Sequence, residues 1–376
     1  MNNCAHKTVT RRQFLASVGA GAAACCLNGL AAPLVFPAEG ELHEAKFYET
    51  LAGGRVRCRL CPRGCVVGDQ QRGYCRVREN RGGKYYSLVY GYPAAVHIDP
   101  IEKKPFFHVY PGSKSYSIAT VGCNFCCKFC QNWDISQASP EDVKPAYRSP
   151  EEIAAAARKA EARTIAYTYT EPVVFNEYVN DCAVAGKKAG IESVMVSNGF
   201  ISNEALQSLF PVLKAVKIDL KSFSQSYYAD ICEGQLQPVL DTLKRLSGSG
   251  VWYEIVVLLI PTLNDSSDEI KRMSAWIVKE LGPDVPLHFS RYHPMYKIRN
   301  IAPTPLATLQ RAQKIAWEEG VRFSYIGNVP GAEEQNTICP FCKTVLIRRY
   351  AYSILENNIA GGRCRKCDKP IAGVWA

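Results

Sequence analysis

The sequence carries no basic stripe, no base-stacking motif and no unbroken apolar run long enough to cross a membrane. Its formal charge of +10, from 45 Lys and Arg against 35 Asp and Glu, is spread along the chain rather than gathered in a tail. A nucleic-acid binder needs a basic footprint or stacking aromatics, so no nucleic-acid partner is expected. The milder use of a positive surface is docking an acidic electron donor. The apolar stretch from Phe14 to about Val35 is broken by Gly19, Gly21, Asn28 and Gly29, so no permanent membrane span is expected. Thr10-Arg11-Arg12-Gln13-Phe14-Leu15, just at its start, is a twin-arginine pattern. The whole segment 1–38 therefore reads as a leader, not as a structural helix.

What the chain has in abundance is cysteine. Seventeen cysteines in 376 residues fall mostly into short-spaced groups, and C-x2-C spacings point to metal rather than to disulfides. Cys58-x2-Cys61-Pro62-Arg63-Gly64-Cys65 is followed, nine residues on, by Cys75. Those four thiols are expected to hold either zinc, as a staple for a small unit, or a second iron–sulfur cluster. Near the C-terminus Cys339-Pro340-Phe341-Cys342 and Cys364-Arg365-Lys366-Cys367, 21 residues apart, form a zinc-ribbon signal. Four thiolates there close a zinc's shell and leave no position for chemistry.

The third group differs. Cys123, Cys127 and Cys130 stand as C-x3-C-x2-C, with Phe129 just before the last thiol. Three thiolates hold three irons of a cubane that ordinarily takes four, leaving one iron open to a ligand. Cys126 permits a competing C-x2-C-x3-C set through Cys123, Cys126 and Cys130, which puts the aromatic out of place. A structural zinc knuckle lacking one ligand is the plainer alternative, and the other cysteines are better grouped elsewhere.

Length allows two or three domains, and 47% apolar with 21% charged residues is ordinary for a globular protein. Residues 39–114 read as a Cys-rich module with short strands, among them Tyr85 to Tyr90. The run Asp99-Pro100-Ile101-Glu102-Lys103-Lys104-Pro105 reads mainly as a solvated connector, and its position just before the first barrel strand leaves room for a substrate-facing role. From 115 to 330 strand and helix patterns alternate. Strands are predicted at Ser115–Val121 and near 163–169, 191–197, 215–220, 251–260, 286–291 and 321–326. Helices are predicted from Ser149-Pro150-Glu151-Glu152, a capping box, and near 173–189, 203–213, 236–247, 266–281 and 305–318. Repeated βα units imply an α/β fold with a parallel sheet, here a partial (β/α)6-type barrel. Residues 331–376 form the zinc-ribbon-like module. Chemistry in such folds sits at strand C-termini. Thr170, Glu171, Ser197, Asn198, Asp219, Lys221 and His293 all fall there, which gathers scattered residues into one ligand site.

With these residues assembled the chain resembles the radical SAM component of the AmmeMemoRadiSam system, within the group similar to pyruvate formate-lyase activating enzymes. The resemblance rests on Cys58-Arg59-Leu60-Cys61-Pro62-Arg63, Gly122-Cys123-Asn124-Phe125 and Cys130-Gln131-Asn132-Trp133. It extends through Tyr167-Thr168-Tyr169-Thr170-Glu171-Pro172, Lys217-Ile218-Asp219-Leu220-Lys221, Gly327-Asn328 and the terminal cysteine pairs. It implies a radical SAM oxidoreductase with a [4Fe–4S] cluster on Cys123, Cys127 and Cys130, its unique iron chelated by S-adenosylmethionine. Thr170-Glu171 stands where the superfamily's Gly-Gly-Glu holds the SAM amine, although the glycines are absent. Asp219 and Lys221 match the segment serving the SAM ribose and carboxylate, and His293 a histidine near the nucleoside. The expected reaction is reductive cleavage of SAM to a 5′-deoxyadenosyl radical that activates or modifies a protein or peptide. Alternatives are a small metabolite as substrate, or a non-catalytic iron–sulfur or zinc scaffold. A flavodoxin- or ferredoxin-type low-potential one-electron donor is the expected partner. The leader implies export as a folded holo-protein, periplasmic or membrane-associated, whereas cytosolic SAM favours cytoplasmic work.

Overall fold

The structure is a computed structural model and describes residues 42–376. The leader expected over 1–38 lies outside the described residues. Among those that are described, no helix is long and apolar enough to cross a membrane.

The centre of the fold is an eight-stranded sheet. It begins with β1 (Ala95–Pro100) and β2 (Lys114–Ala119), an antiparallel pair. Then β3 (Thr164–Tyr167), β4 (Glu192–Ser197), β5 (Ala215–Asp219), β6 (Trp252–Leu259), β7 (Leu287–Arg291) and β8 (Ser324–Gly327) follow in sequence order. Every pairing from β2 to β8 is parallel. Each crossover carries a helix: α1 (Pro150–Lys159), α2 (Asn176–Lys188), α3 (Asn203–Leu209), α4 (Leu236–Ser247), α5 (Ser267–Leu281) and α6 (Leu306–Glu318). The sheet is open, with β1 and β8 at its edges, so the partial (β/α)6 barrel expected from the sequence is the architecture found.

Local chemistry explains the helix starts. Ser149 accepts from the Glu152 N–H at 3.2 Å and the Glu152 carboxylate accepts from the Ser149 N–H at 2.7 Å. Pro150 at the first helical position loses no hydrogen bond there, and Ile153, Ala154 and Ala157 bury the inner face. At α5 Ser266 caps the Glu269 N–H, but the Glu269 carboxylate turns away to Ser222 Oγ and the Phe223 N–H, pinning the loop after β5.

The antiparallel strand β1 was not foreseen, and it corrects the account of the charged run that follows it. Asp99, Glu102 and Lys104 are all buried rather than solvated. Lys103 and Lys104 donate to Asp99, and Glu102 accepts from the Gly112 N–H at 2.7 Å through one oxygen while burial pushes its carboxyl up. The main sheet thus starts at Ala95, upstream of Ser115.

Two small sheets precede the barrel, one of Tyr48–Thr50, Val56–Cys58 and Val66–Val67, the other of His43–Glu44, Lys84–Ser87 and Arg78–Arg81. They are fastened to it by Arg78, fully buried, which donates to both Glu177 oxygens and to the Val174 carbonyl. After β8 come an antiparallel sheet of Thr337–Ile338, Val345–Tyr350 and Ser353–Asn357 and a short pair, Ile359–Ala360 with Arg363–Cys364.

Inside the barrel lies a buried polar layer. Alternation along β6 puts Glu254 on the face shared with Val256 and Leu258. Glu254 accepts from Lys217 Nζ at 3.1 Å, from His288 Nε2 at 2.7 Å and from the backbone N–H groups of Phe107 and His108. Burial works against its ionised form, but Lys217 and the His288 hydrogen bond hold its carboxyl well below the usual range. Burial in turn pushes Lys217 down to about 8 and His288 to about 3, so the imidazole is neutral. Glu254→Leu strands the Lys217 ammonium in the interior, at an expected cost of about 3–5 kcal/mol. Adding Lys217→Met is expected to recover most of that loss; anaerobic urea denaturation midpoints of the two variants check it.

Candidate active site

The loop after β2 holds Cys123, Cys127 and Cys130. Gly122, at φ +96°, makes its entry: a Cβ there would stand 2.6 Å from Val77 Cγ1 and 2.9 Å from the Cys75 carbonyl. Asn124 fixes the loop from both its backbone and its side chain. Its carbonyl accepts from Arg63 Nε at 2.6 Å, its Nδ2 donates to the Phe200 carbonyl at 2.8 Å, and its Oδ1 accepts from Asn198 Nδ2 at 2.8 Å. The loop backbone also docks on the segment after β5, with Cys126 N–H donating to the Cys232 carbonyl and Lys128 N–H to that of Ile231. Phe129 is buried against Tyr227.

All three thiols line one cavity of about 520 Å³ at the strand C-termini, and Cys126 does not. Among the described residues only the C-terminal cysteines form a group of three or more ligand atoms all within 4.8 Å of one another. The Cys123, Cys127 and Cys130 sulfurs are therefore too widely placed to chelate a single ion. They suit a cubane, whose irons occupy separate corners. Burial pushes Cys123 up, and Cys127 and Cys130 are raised as well; thiolate character there depends on a metal.

The same cavity brings together most of the strand-end residues singled out above. Thr170, Glu171, Ser197, Asn198, Asp219 and Lys221 all line it. Glu171 Oε1 accepts from the Val173 N–H at 3.1 Å and Ser197 Oγ at 2.7 Å, and Oε2 from the Asn198 N–H at 2.8 Å. A carboxylate offers about four lone-pair sites, so one is left for a ligand. Burial pushes Glu171 up to about 7 against those hydrogen bonds. Thr170 Oγ1 is committed to the Thr120 carbonyl at 2.8 Å and holds the strand end in place. Lys221 Nζ donates to Asp219 Oδ2 at 2.5 Å; burial opposes its charge, but Asp219 and the neighbouring Cys127 keep it firmly protonated.

His293 does not join them. It is exposed and off the cavity, because the preceding Tyr292 turns inward and its hydroxyl donates to the Ile298 carbonyl at 2.7 Å. The His293 imidazole therefore does not line this cavity.

Other residues of the cavity were missed. Lys103, Lys104 and Tyr169 line it, as do Asn132, Ser290 and Asn328. Lys104 Nζ donates to Tyr169 Oη at 3.0 Å, and both donate to Asp99. Burial opposes ionisation of Asp99, yet Lys103, Lys104 and Tyr169 hold its carboxyl well below the usual range; burial lowers Lys104 to about 8. Tyr169 adopts φ +66° and its carbonyl accepts from Asn132 Nδ2 at 2.8 Å. Left-handed backbone at a tyrosine costs about 1–2 kcal/mol and marks a position held by its surroundings. Tyr352, from the turn between Val345–Tyr350 and Ser353–Asn357, also reaches the cavity, far away in sequence and without a motif to announce it.

The other two cysteine groups are each brought together. In the C-terminal one the Cys339–Cys367 and Cys342–Cys364 sulfurs are 3.7 Å apart. Thiolates at about 2.3 Å around a tetrahedral centre stand about 3.8 Å from one another, so this quartet fits one metal ion. Cys58, Cys61, Cys65 and Cys75 line a small separate cavity.

A parallel half-barrel with a three-thiol loop at its C-terminal rim defines a radical SAM enzyme, and the chain belongs to that superfamily, whose family model matches residues 117–274. It is similar to the uncharacterized protein MJ0808 of Methanocaldococcus jannaschii, 43% identical over 332 residues, covering 88% of this chain and 99% of that one. It is also similar to pyruvate formate-lyase 1-activating enzyme of Escherichia coli strain K12, 22% identical over 223 residues, covering 54% of this chain and 89% of that one. SuiB of Streptococcus suis, solved bound to S-adenosylmethionine, superposes with a TM-score of 0.45 at 12% identity, covering 61% of this chain and 53% of that one.

Glu171 yields a pH prediction. Its folded-state pKa, about 7, is raised above the ordinary carboxylate range. The stability it contributes is present in full in acid and is lost as pH rises through 7. Relative to Glu171→Gln, the metal-free wild type is expected to lose on the order of 3 kcal/mol between pH 4.5 and 8. Denaturation midpoints of both proteins across that range check the sign.

Proposed function

We propose that this chain holds a [4Fe–4S] cluster on Cys123, Cys127 and Cys130, cleaves S-adenosylmethionine reductively there, and directs the radical at a protein or peptide. The observation that carries the reading is the set of three widely spaced thiols lining one cavity with Glu171, Ser197, Asn198, Asp219 and Lys221. When bound, the cluster and SAM supply one-electron cleavage of a sulfonium carbon–sulfur bond, with a 5′-deoxyadenosyl radical and methionine as products.

The chain's own residues supply position and charge. Glu171 offers its remaining lone pair to the SAM amine, and Ser197 and Asn198 keep its carboxylate aimed. Lys221, protonated and tied to Asp219, complements the SAM carboxylate, while Asp219 retains acceptor sites for ribose hydroxyls. Val256 and Leu258 give the cavity an apolar wall, and the Glu254 layer below it is buried. A macromolecular substrate is supported by the hairpin that carries Tyr352 to the cavity: Tyr350 and Leu355 beside it are 62% and 63% exposed. Similarity to the activating enzyme supports the same substrate class. Zinc is the proposed ion of the Cys339 quartet, and a flavodoxin or ferredoxin the proposed electron donor.

Anaerobically reconstituted protein given dithionite and SAM is expected to release 5′-deoxyadenosine. Cys127→Ala is expected to abolish the release and Cys126→Ala to retain it. Equal turnover by the Cys127→Ala protein overturns the proposal.

A further inference from the structure

We infer that Cys58, Cys61, Cys65 and Cys75 hold a second iron–sulfur cluster, not zinc, and that this site hands electrons to the one at Cys123, Cys127 and Cys130. The chain contains its own standard for comparison. Where four cysteines are arranged for a single tetrahedral ion, at Cys339, Cys342, Cys364 and Cys367, all four sulfurs lie within 4.8 Å of one another. No three sulfurs of the N-terminal quartet meet that condition, for the C-terminal group is the only one among the described residues that does. Zinc needs thiolates about 3.8 Å apart, as tetrahedral bonds of about 2.3 Å require. Four thiolates spread further apart around an enclosed space are the arrangement of a polynuclear cluster, each sulfur ending on its own iron.

The lining of that space points the same way. Cys58, Cys61, Cys65 and Cys75 surround it together with Arg78, Tyr85 and Asn124. Tyr85 is fully buried and its hydroxyl has no protein partner. A closed zinc–thiolate shell has little use for a buried hydroxyl beside it. Cluster sulfides accept hydrogen bonds, so the Tyr85 hydroxyl has a function against iron and sulfur, whereas the Arg78 guanidinium is already taken by Glu177 and the Val174 carbonyl.

Placement then assigns the role. On one side Cys65, with Pro62, Arg63 and Tyr74, also lines an open surface groove, where a soluble carrier can approach. On the other side the Cys75 carbonyl abuts Gly122, and Asn124 faces the quartet while its neighbour Cys123 faces the catalytic cavity. The quartet thus stands between a surface groove and the catalytic loop. One electron leaves a low-potential carrier of flavodoxin or ferredoxin type, which is oxidised. It passes through the quartet site to the trio site, which is reduced; no bond is made or broken and no proton moves. The relay rests on the radical SAM reading proposed above, whereas the iron site does not.

The two parts separate experimentally. The full chain carrying Cys123→Ala, Cys127→Ala and Cys130→Ala together, reconstituted with iron, sulfide and zinc under anoxia, is expected to hold about four irons and one zinc. It should also give the electron paramagnetic resonance signal of a reduced cluster with dithionite. Two zincs and no iron in that protein overturn the second cluster. In the otherwise intact chain, Cys65→Ala is expected to retain dithionite-driven release of 5′-deoxyadenosine and to slow flavodoxin-driven release roughly tenfold or more. Unchanged flavodoxin-driven release overturns the relay. Failure of the wild type to cleave SAM at all would count against the radical SAM reading and leave the iron count standing.

Discussion

Asn124 is the joint on which the functional half of this molecule depends. Its carbonyl takes Arg63 from the N-terminal module, its amide nitrogen ties to Phe200 beyond β4, and its amide oxygen receives Asn198. Through Asn198 the same joint reaches Glu171, whose carboxylate takes the Asn198 N–H. The thiol loop, the strand-end carboxylate and the N-terminal cysteines are thus set relative to one another by a single amide side chain and its peptide. None of these bonds is strong alone, each contributing about 1 kcal/mol net, but the two made by the Asn124 side chain are buried and converge on one residue. Precise spacing of thiols on a loop requires such over-determination, because loop backbone has no ladder of its own to hold it.

Much of the barrel was legible because it repeats one physical rule. Apolar strands and amphipathic helices alternate six times, three of the helices starting from a serine cap, and strand ends then follow from topology alone. The Cys123 loop was legible from spacing, and Thr170, Glu171, Ser197, Asn198, Asp219 and Lys221 from their place at strand ends. What failed was charge in context. Asp99, Glu102 and Lys104 look like a solvated stretch because sequence shows ionisable groups but not the partners that neutralise them. Lys104 is buried between Asp99 and Tyr169, and Tyr169 lies 65 residues further on. His293, exposed and off the cavity, is a different case. A motif match places it near a ligand, but inward packing of Tyr292 decides which of two neighbours faces the interior. Tyr352 had no local signal at all, since only tertiary return of the C-terminal hairpin brings it to the cavity.

The interior of the barrel divides into two chemical storeys. Above are the thiols and the carboxylate near neutrality; below are Glu254, Lys217 and His288, closed off by Phe107 and His108. His108 itself donates through Nδ1 to the Ala372 carbonyl and accepts at Nε2 from the Tyr325 hydroxyl. In the lower storey the Glu254 carboxylate is held by Lys217, His288 and two backbone N–H groups, while His288 is neutral and its Nδ1 has no protein partner among the described residues. The contribution of this storey is to fix the lower ends of β5, β6 and β7, so that residues two and four positions further along those strands arrive at the cavity in register.

The C-terminal segment bears on the order in which the molecule can be completed. The Ala372 carbonyl meets His108 across 264 residues, Val374 pairs beside Val109, and Tyr352 reaches the opposite end of the barrel. Contacts of such separation close late, because the entropy of a long loop must be overcome before they form. Both ends of the barrel therefore stay unfinished until the distal cysteine module has folded back. An ion that organises Cys339, Cys342, Cys364 and Cys367 acts, in effect, as an assembly checkpoint for a cavity to which it is not bound.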